Sequence, residues 1–453
     1  MAFLVNSPSL VSTGTTDADY FLVQSAGLAG ATLNGLAGND TIEVTGGGGA
    51  SAGFIANLAG GADLVTASGI GATGVGTLLG GAGADTISFS GVSTLNSLKL
   101  GDGNDVLNIS SGFDISGASL LAGGGSDYIS GGSGDFGGSL IGLGAGADSI
   151  TLSGGNLATA TIDGGGGADS IILTAATLNT GVLVKGGSGT GADIIRGLEL
   201  DSGASIQGGG GADTLTFSGA VASGVVVAAG AGGDSITINQ ISAGAAFIGG
   251  GAGSDVITLS AADSLSGAST IQGGGGAGSI NISGGDLLAV GIVYGGAGKD
   301  QLGIGTLLTG TGAILGYSAL SDSTVSIMDT VSGTYASGSV VTFDLSGAVT
   351  STTLGSYSGG TLSVNAGVAT GDGFSADSIA SATTLMDKYL QDEGTVSLFT
   401  QSGTNYLFVQ GGTSGTSDDL VVAINSGADN VSAADITIGV SANDVTISYT
   451  SAF

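Results

Sequence analysis

The chain has 453 residues, of which 95 are Gly, one is Pro and none is Cys, His or Trp; 36 acidic residues against 5 basic ones give a formal charge of −31. Collagen is excluded by the lack of a strict Gly-X-Y period, and a disordered polar chain by 42 % hydrophobic residues and a mean hydropathy of +0.49. The charge makes nucleic acid a poor partner, the missing Cys removes disulfides and thiol chemistry, and the missing His removes most acid–base and triad schemes.

The opening residues, Met1 to Pro8, have no basic region and no long apolar run, so they do not read as a secretory signal peptide. Asp17-Ala18-Asp19-Tyr20-Phe21 follows as a degenerate coil, and residues 1–29 are expected to form an N-terminal cap. From residue 30 to 305 one turn motif recurs, clearest at Gly80-Gly81-Ala82-Gly83-Ala84-Asp85. Its copies end at Asp40, Asp63, Asp85, Asp105, Asp127, Asp148, Asp169, Asp193, Asp213, Asp234, Asp255 and Asp300, with Gly278 standing where a further Asp is due. The steps run from 20 to 24 residues. Gly stands two places before the Asp position in every copy, and an apolar residue two places after it, from Ile42 to Leu302. Seven places before, Leu, Ile or Val stands in all copies but two, Ala56 and Gly186.

Each repeat thus reads strand, Gly-rich turn with Asp, strand, second corner. Alternation such as Thr86-Ile87-Ser88-Phe89 has the period of a half-buried strand. One repeat cannot bury its apolar face alone, so many must stack. The second corner carries apolar residues instead of Asp: Leu157, Leu178, Val221 and Ile241. The expected fold is all-β, a right-handed parallel β-roll or β-solenoid of about 13 coils.

Past residue 305 the motif stops, and 306–453 reads as a β-rich C-terminal domain. Ser339–Leu345 and Thr361–Val364 alternate as strands. One helix is expected over Ala376–Asp392, capped by Ser375, striped by Ile379, Ala382, Met386 and Leu390 and ended by Gly394. A hairpin follows, Thr395–Phe399 with Tyr406–Val409.

The turn supplies calcium chemistry. Gly exposes carbonyl oxygens on a tight bend, and calcium takes six to eight hard oxygens from carboxylates and carbonyls. An Asp that merely braces a turn would suit one or two copies. A ladder of carboxylates at coil spacing repels by about 1 kcal/mol per adjacent pair even in water, so counter-ions are expected. All twelve motif aspartates are candidate calcium ligands, shared between adjacent coils, and the lapse at Gly278 should weaken its neighbours.

The in-phase Gly-Gly-x-Gly-x-Asp-x-apolar turn resembles the signature of RTX calcium-binding repeats. It departs in having one such turn per coil rather than two, which implies one calcium row. The resemblance implies type I secretion by an uncleaved C-terminal signal, with Asp444–Phe453 as the matching tail, and a place outside the cell or on its surface. The segment from Asn405 to Val422 resembles the closing region of many RTX proteins, and RTX-like regions occur in bacterial surface-layer proteins.

No catalytic residues are expected, and the protein is not read as an enzyme: the motif aspartates are absorbed by calcium, and without Trp there are few platforms for sugar rings. The expected function is a secreted, calcium-dependent structural protein that self-assembles as a surface-layer, filament or matrix subunit. Its partners would be calcium ions, copies of itself and cell-surface polysaccharide, not nucleic acid. The alternative is a calcium-stabilised adhesin or ice-binding surface. It rests on outward Ser and Thr such as Thr86, Ser88, Thr214 and Thr216, a row interrupted by Leu64, Tyr128, Ile172 and Arg196.

Overall fold

A computed structural model describes residues 1–5, 10–24, 30–45, 55–68, 75–90, 95–110, 112, 114–174, 178, 180–241, 244–260, 269–283, 291–307, 312–317, 319–324, 326, 328–335, 339–345, 353–354, 357–359, 362–365, 368–370, 379–390, 392–401, 404–412, 418–426, 436–441 and 444–449. Among the described residues the fold is nearly all β, a β-solenoid of about 12 turns with one α-helix near the C-terminus. The chain divides into two compact units, residues 1–219 with 225–229 and residues 220–224 with 230–453.

In the first unit each coil contributes one strand to each of two parallel sheets. The strands after the Asp positions include Tyr20–Gln24, Thr41–Thr45, Leu64–Ser68, Thr86–Ser90, Val106–Ile109, Tyr128–Gly131, Ser149–Leu152, Ser170–Leu173 and Ile194–Gly197. Each pairs in parallel with its counterpart one coil on. The register is set by the apolar residue two places after the Asp: Ile87 aligns with Leu107, Leu107 with Ile129, Ile129 with Ile150 and Ile150 with Ile171. All five are buried and stack along the core, while the residues between them face outward. A one-residue slip would expose the whole row, so the period fixes the pairing.

The strands before the Asp positions stack in the same way. Gly186, an exception to the apolar rule, is explained by register. Its turn is two residues longer, so Val184 takes the inward place, aligned with Ile162 below and Ile206 above. The second corner carries its own buried column: Ile115, Phe136 and Leu200 join Leu157 and Leu178. Asp114, Asp135 and Asn156 there each accept the N–H two residues on, an ordinary local turn bond.

In the second unit the same stacking runs from Ser235–Ile241 through Val256–Leu259 and Ser279–Ile282 to Gln301–Leu307. It continues beyond residue 305, because Gln301–Leu307 pairs in parallel with Asp329–Tyr335, and Gly312–Gly316 with Val340–Asp344. After that the pairing is mixed: Asp329–Tyr335 also pairs in parallel with Leu420–Ser426, and other pairs are antiparallel. Asp444–Tyr449 runs against Val340–Asp344 and Ile436–Ser441, and Thr404–Val409 runs against Thr395–Gln401 and Leu420–Ser426. The expected hairpin is therefore present.

The helix spans Ile379–Tyr389 and packs Ala382, Met386 and Leu390 onto Phe399, Tyr406, Phe408, Val421 and Ala423 of that hairpin sheet. Its apolar stripe is the expected one; the expected cap Ser375 lies outside the described residues. Gly394, at φ +80°, turns the chain into Thr395–Gln401.

Candidate functional site: the buried carboxylate ladder

The turn needs glycine for two separate reasons. Gly83, two places before Asp85, has φ +129°, a region that side chains disfavour. A Cβ there would also collide with the carbonyl oxygen of Gly61, one coil below. The same stacking of Gly on carbonyl repeats at Gly103 and Gly125. Four places before the Asp the backbone is again left-handed in most copies, and in the first two Leu36 and Ala59 hold that conformation, at φ +82° and +68°.

This backbone turns the aspartates inward. All twelve are buried, none more than 3 % exposed. Within each unit they are linked rung to rung, an Asp N–H donating to Oδ1 of the Asp one coil on. Asp40 bonds Asp63 at 2.6 Å, Asp63 bonds Asp85 at 2.9 Å, Asp85 bonds Asp105 at 2.7 Å and Asp105 bonds Asp127 at 2.8 Å. The series continues through Asp148, Asp169 and Asp193 to Asp213. In the second unit Asp234 donates to Asp255. Asp carbonyls in turn accept an N–H from the following coil, as Asp63 does from Thr86.

Two further rungs escape the motif. Asp19 lies below Asp40, donating its N–H to Asp40 at 2.9 Å while its own carboxylate meets the Met1 ammonium at 2.6 Å and Thr15. Asp329 lies above Asp300, accepting its N–H at 2.8 Å, and ends the ladder by donating to the Ser323 hydroxyl. Asp329 comes 29 residues after Asp300 and lacks the Gly-rich approach, so the period hides it. The available signal was Asp329-Thr330-Val331, which matches Asp40-Thr41-Ile42. At the lapsed copy, Gly278 N–H still donates to Asp300, but no carboxylate stands over the Asp255 N–H.

The second carboxylate oxygen differs from the first. Oδ2 of Asp63, Asp85, Asp105, Asp148 and Asp169, among others, is buried with no hydrogen-bond partner. It fills the inside of its own turn: a Cβ on Gly80 would sit 2.5 Å from Asp85 Oδ2, and one on Gly164 2.7 Å from Asp169 Oδ2. Burial pushes Asp85 and Asp169 up to about 7, and Asp63, Asp105, Asp148 and Asp193 to about 6, despite the bonded N–H that favours the anion. Asp329 is pushed up to about 8, chiefly by burial and then by the neighbouring Asp300. Asp19 goes the other way, lowered chiefly by its bond to the terminal ammonium.

Within each unit the motif aspartates are thus brought together as a file. Among the described residues no three acidic side chains converge on one point. The expectation was a calcium shell shared by carboxylates and turn carbonyls of adjacent coils. On rungs such as Asp63, Asp85, Asp105, Asp148 and Asp169 the ladder displays one oxygen committed to a neighbour's N–H and one hard oxygen lacking a donor. Such orphaned oxygens fit a hard cation in donor chemistry. They equally fit a proton.

The chain matches no protein-family model and no curated protein.

Proposed function

We propose that this is a secreted structural protein whose coils are hardened by calcium and which self-assembles outside the cell, as a surface-layer, filament or matrix subunit. One observation carries the reading: a file of buried carboxylates, each with one oxygen in the inter-coil ladder and, on most rungs, the other buried without a donor. An unpaired buried charge is strongly destabilising. At neutral pH the file needs partners, and a calcium-rich exterior supplies them to oxygen donors.

The motif residues Asp40, Asp63, Asp85, Asp105, Asp127, Asp148, Asp169, Asp193, Asp213, Asp234, Asp255 and Asp300 would hold the ions, with Asp329 as a further member. Calcium would supply charge compensation and rigidity, with no reaction. The acidic surplus, −31 overall, keeps chains apart before export and is neutralised after it.

The test is circular dichroism and thermal melting with and without chelator at pH 7.5 and at pH 5, with bound calcium counted after dialysis. Chelation should unfold or strongly destabilise the coils at pH 7.5 and matter far less at pH 5, where protons occupy the same oxygens. Full β signal and an unchanged Tm in chelator at pH 7.5 would reject calcium hardening. Monodisperse monomers in millimolar calcium would reject assembly and favour the adhesin or ice-binding reading.

A further inference from the structure

A second group of acceptor atoms lacking donors lies in the unit formed by residues 220–224 and 230–453, away from the repeat turns. Strands Thr404–Val409 and Leu420–Ser426 pair antiparallel, with Val409 opposite Leu420. Just beyond that pair, Gln410 and Gly411 on one strand therefore meet Asp419 and Asp418 on the other. Met386 of the helix is buried against this sheet, which brings its neighbour Asp387 to the same place.

The contacts are specific. Gly411 N–H donates to Asp419 Oδ1 at 2.8 Å. Gln410 Nε2 donates to Asp387 Oδ1 at 3.0 Å and to the Gly411 carbonyl at 3.2 Å. The Asp418 carboxylate lies on the Gly411 backbone, so close that a Cβ on Gly411 would be 2.7 Å from its Oδ2. Two atoms are left over. Asp419 is fully buried and its Oδ2 has no hydrogen-bond partner; Gln410 is 2 % exposed and its Oε1 has none.

Gln410 is the independent clue. An acidic cluster alone is ordinary, but a buried amide beside it would normally aim its oxygen at a donor. Here the amide nitrogen is spent on Asp387, and its oxygen is buried in surroundings rich in acceptors. A hard cation is the kind of partner that buried acceptor oxygens lacking donors call for.

We propose that this corner is a separate site for a hard divalent cation, calcium by its donor set, held by the Asp419 carboxylate and the Gln410 side-chain oxygen with Asp418 and backbone carbonyl support. Calcium accepts such mixed carboxylate, amide and carbonyl oxygens in flexible geometry, whereas magnesium demands a tighter octahedron and zinc prefers nitrogen and sulfur. The site stands independently of the turn ladder, and its role would be to pin the helix to the closing hairpin.

Hydrogen exchange read by mass spectrometry on the full chain separates the two sites, because the readout is local. With calcium at about ten times its dissociation constant, peptides over 395–412 should exchange about tenfold more slowly than in chelator. Magnesium should give no such protection. Asp419→Asn should abolish the effect there, while peptides over 95–131 respond to calcium as in the unaltered chain. Gln410→Glu guards against a folding failure of the first variant. It adds charge beside Asp387, so the region should open in chelator and be restored by calcium. No calcium protection over 395–412 in the unaltered chain, equal protection in Asp419→Asn, or no calcium rescue of Gln410→Glu would each overturn the proposal. Protection over 395–412 with none over 95–131 would uphold this site while removing the ladder's.

Discussion

At the scale of single residues, the ladder divides labour between the two oxygens of one carboxylate. Oδ1 braces the coil below and Oδ2 carries the unpaired charge. Asp85→Asn keeps the acceptor for the Asp63 N–H and removes the charge. In chelator at pH 7.5 it should therefore raise the Tm, and in calcium it should lower the number of bound ions; a fall in Tm in chelator would show that the charge is not the burden. Asp213→Ala and Asp255→Ala each strip the acceptor from one N–H, that of Asp193 and of Asp234. In chelator both should cost about 1–3 kcal/mol, the penalty of one buried unsatisfied donor. Any excess for Asp213→Ala in calcium would measure an ion shared with intact neighbours, as proposed. Ala59 holds a left-handed backbone where most other copies have Gly. Ala59→Gly should stabilise by about 1 kcal/mol, the strain relieved less the added chain entropy, which urea denaturation can resolve.

At the scale of the element, a coil is stable only as part of its stack, and the stack has a pH signature. Asp63, Asp85, Asp105, Asp148, Asp169 and Asp193 have folded values of about 6 to 7 against an ordinary 3.8, raised chiefly by burial. The folded state therefore binds more protons than the unfolded chain between those values, so stability falls as pH rises. Their contribution is fully present below about pH 4 and is lost as pH climbs through 6 to 7. In chelator the Tm should climb steadily from pH 8 down to pH 5; calcium should flatten that slope by replacing the protons. A flat profile in chelator would mean that the buried oxygens find donors. Gly278 offers a complementary test. A Cβ there meets Asp255 O at 3.2 Å and Asp300 Oδ1 at 3.3 Å, tight but without a left-handed φ. Gly278→Asp should supply the missing rung over the Asp255 N–H and raise the Tm in calcium. No gain would show that the lapse is tolerated for packing reasons.

At the scale of the molecule, the proposed assembly would depend on which strand edges remain open. In the second unit, antiparallel strands such as Asp444–Tyr449 follow the last parallel coil and cover Val340–Asp344. In the first unit, Ala2–Val5 pairs with Tyr20–Gln24, and Val11–Thr13 with Thr32–Asn34. Met1, Leu4 and Val11 there are exposed at 73 %, 54 % and 63 %. An exposed apolar edge is a template for another strand, and Lys is the residue that blunts it. Leu4→Lys with Val11→Lys should therefore suppress calcium-induced light scattering while leaving the folded monomer intact. Unchanged assembly by the double variant would place the contact elsewhere on the protein.

The sequence by itself determined the coil. A period of 20 to 24 residues, Gly at a fixed place and an apolar residue two positions past the Asp leave one way to bury a row of Ile, Leu and Val, so strands, register and the helix stripe were legible. It also singled out the twelve aspartates, because chemistry that repeats in phase is visible as a pattern. What it did not contain was where each carboxylate points. That Asp85 reaches the N–H of Asp63, 22 residues earlier, is settled only when two left-handed glycines per turn fold the side chain inward. Asp329 and Val184 stayed hidden for a related reason: insertions of a few residues break the period in sequence, whereas hydrogen bonding between adjacent coils absorbs them in a turn. The corner of Gln410 and Asp419 has no period at all. Its atoms meet because an antiparallel strand pair and a helix converge, and such long-range contacts are a property of tertiary structure rather than of local sequence.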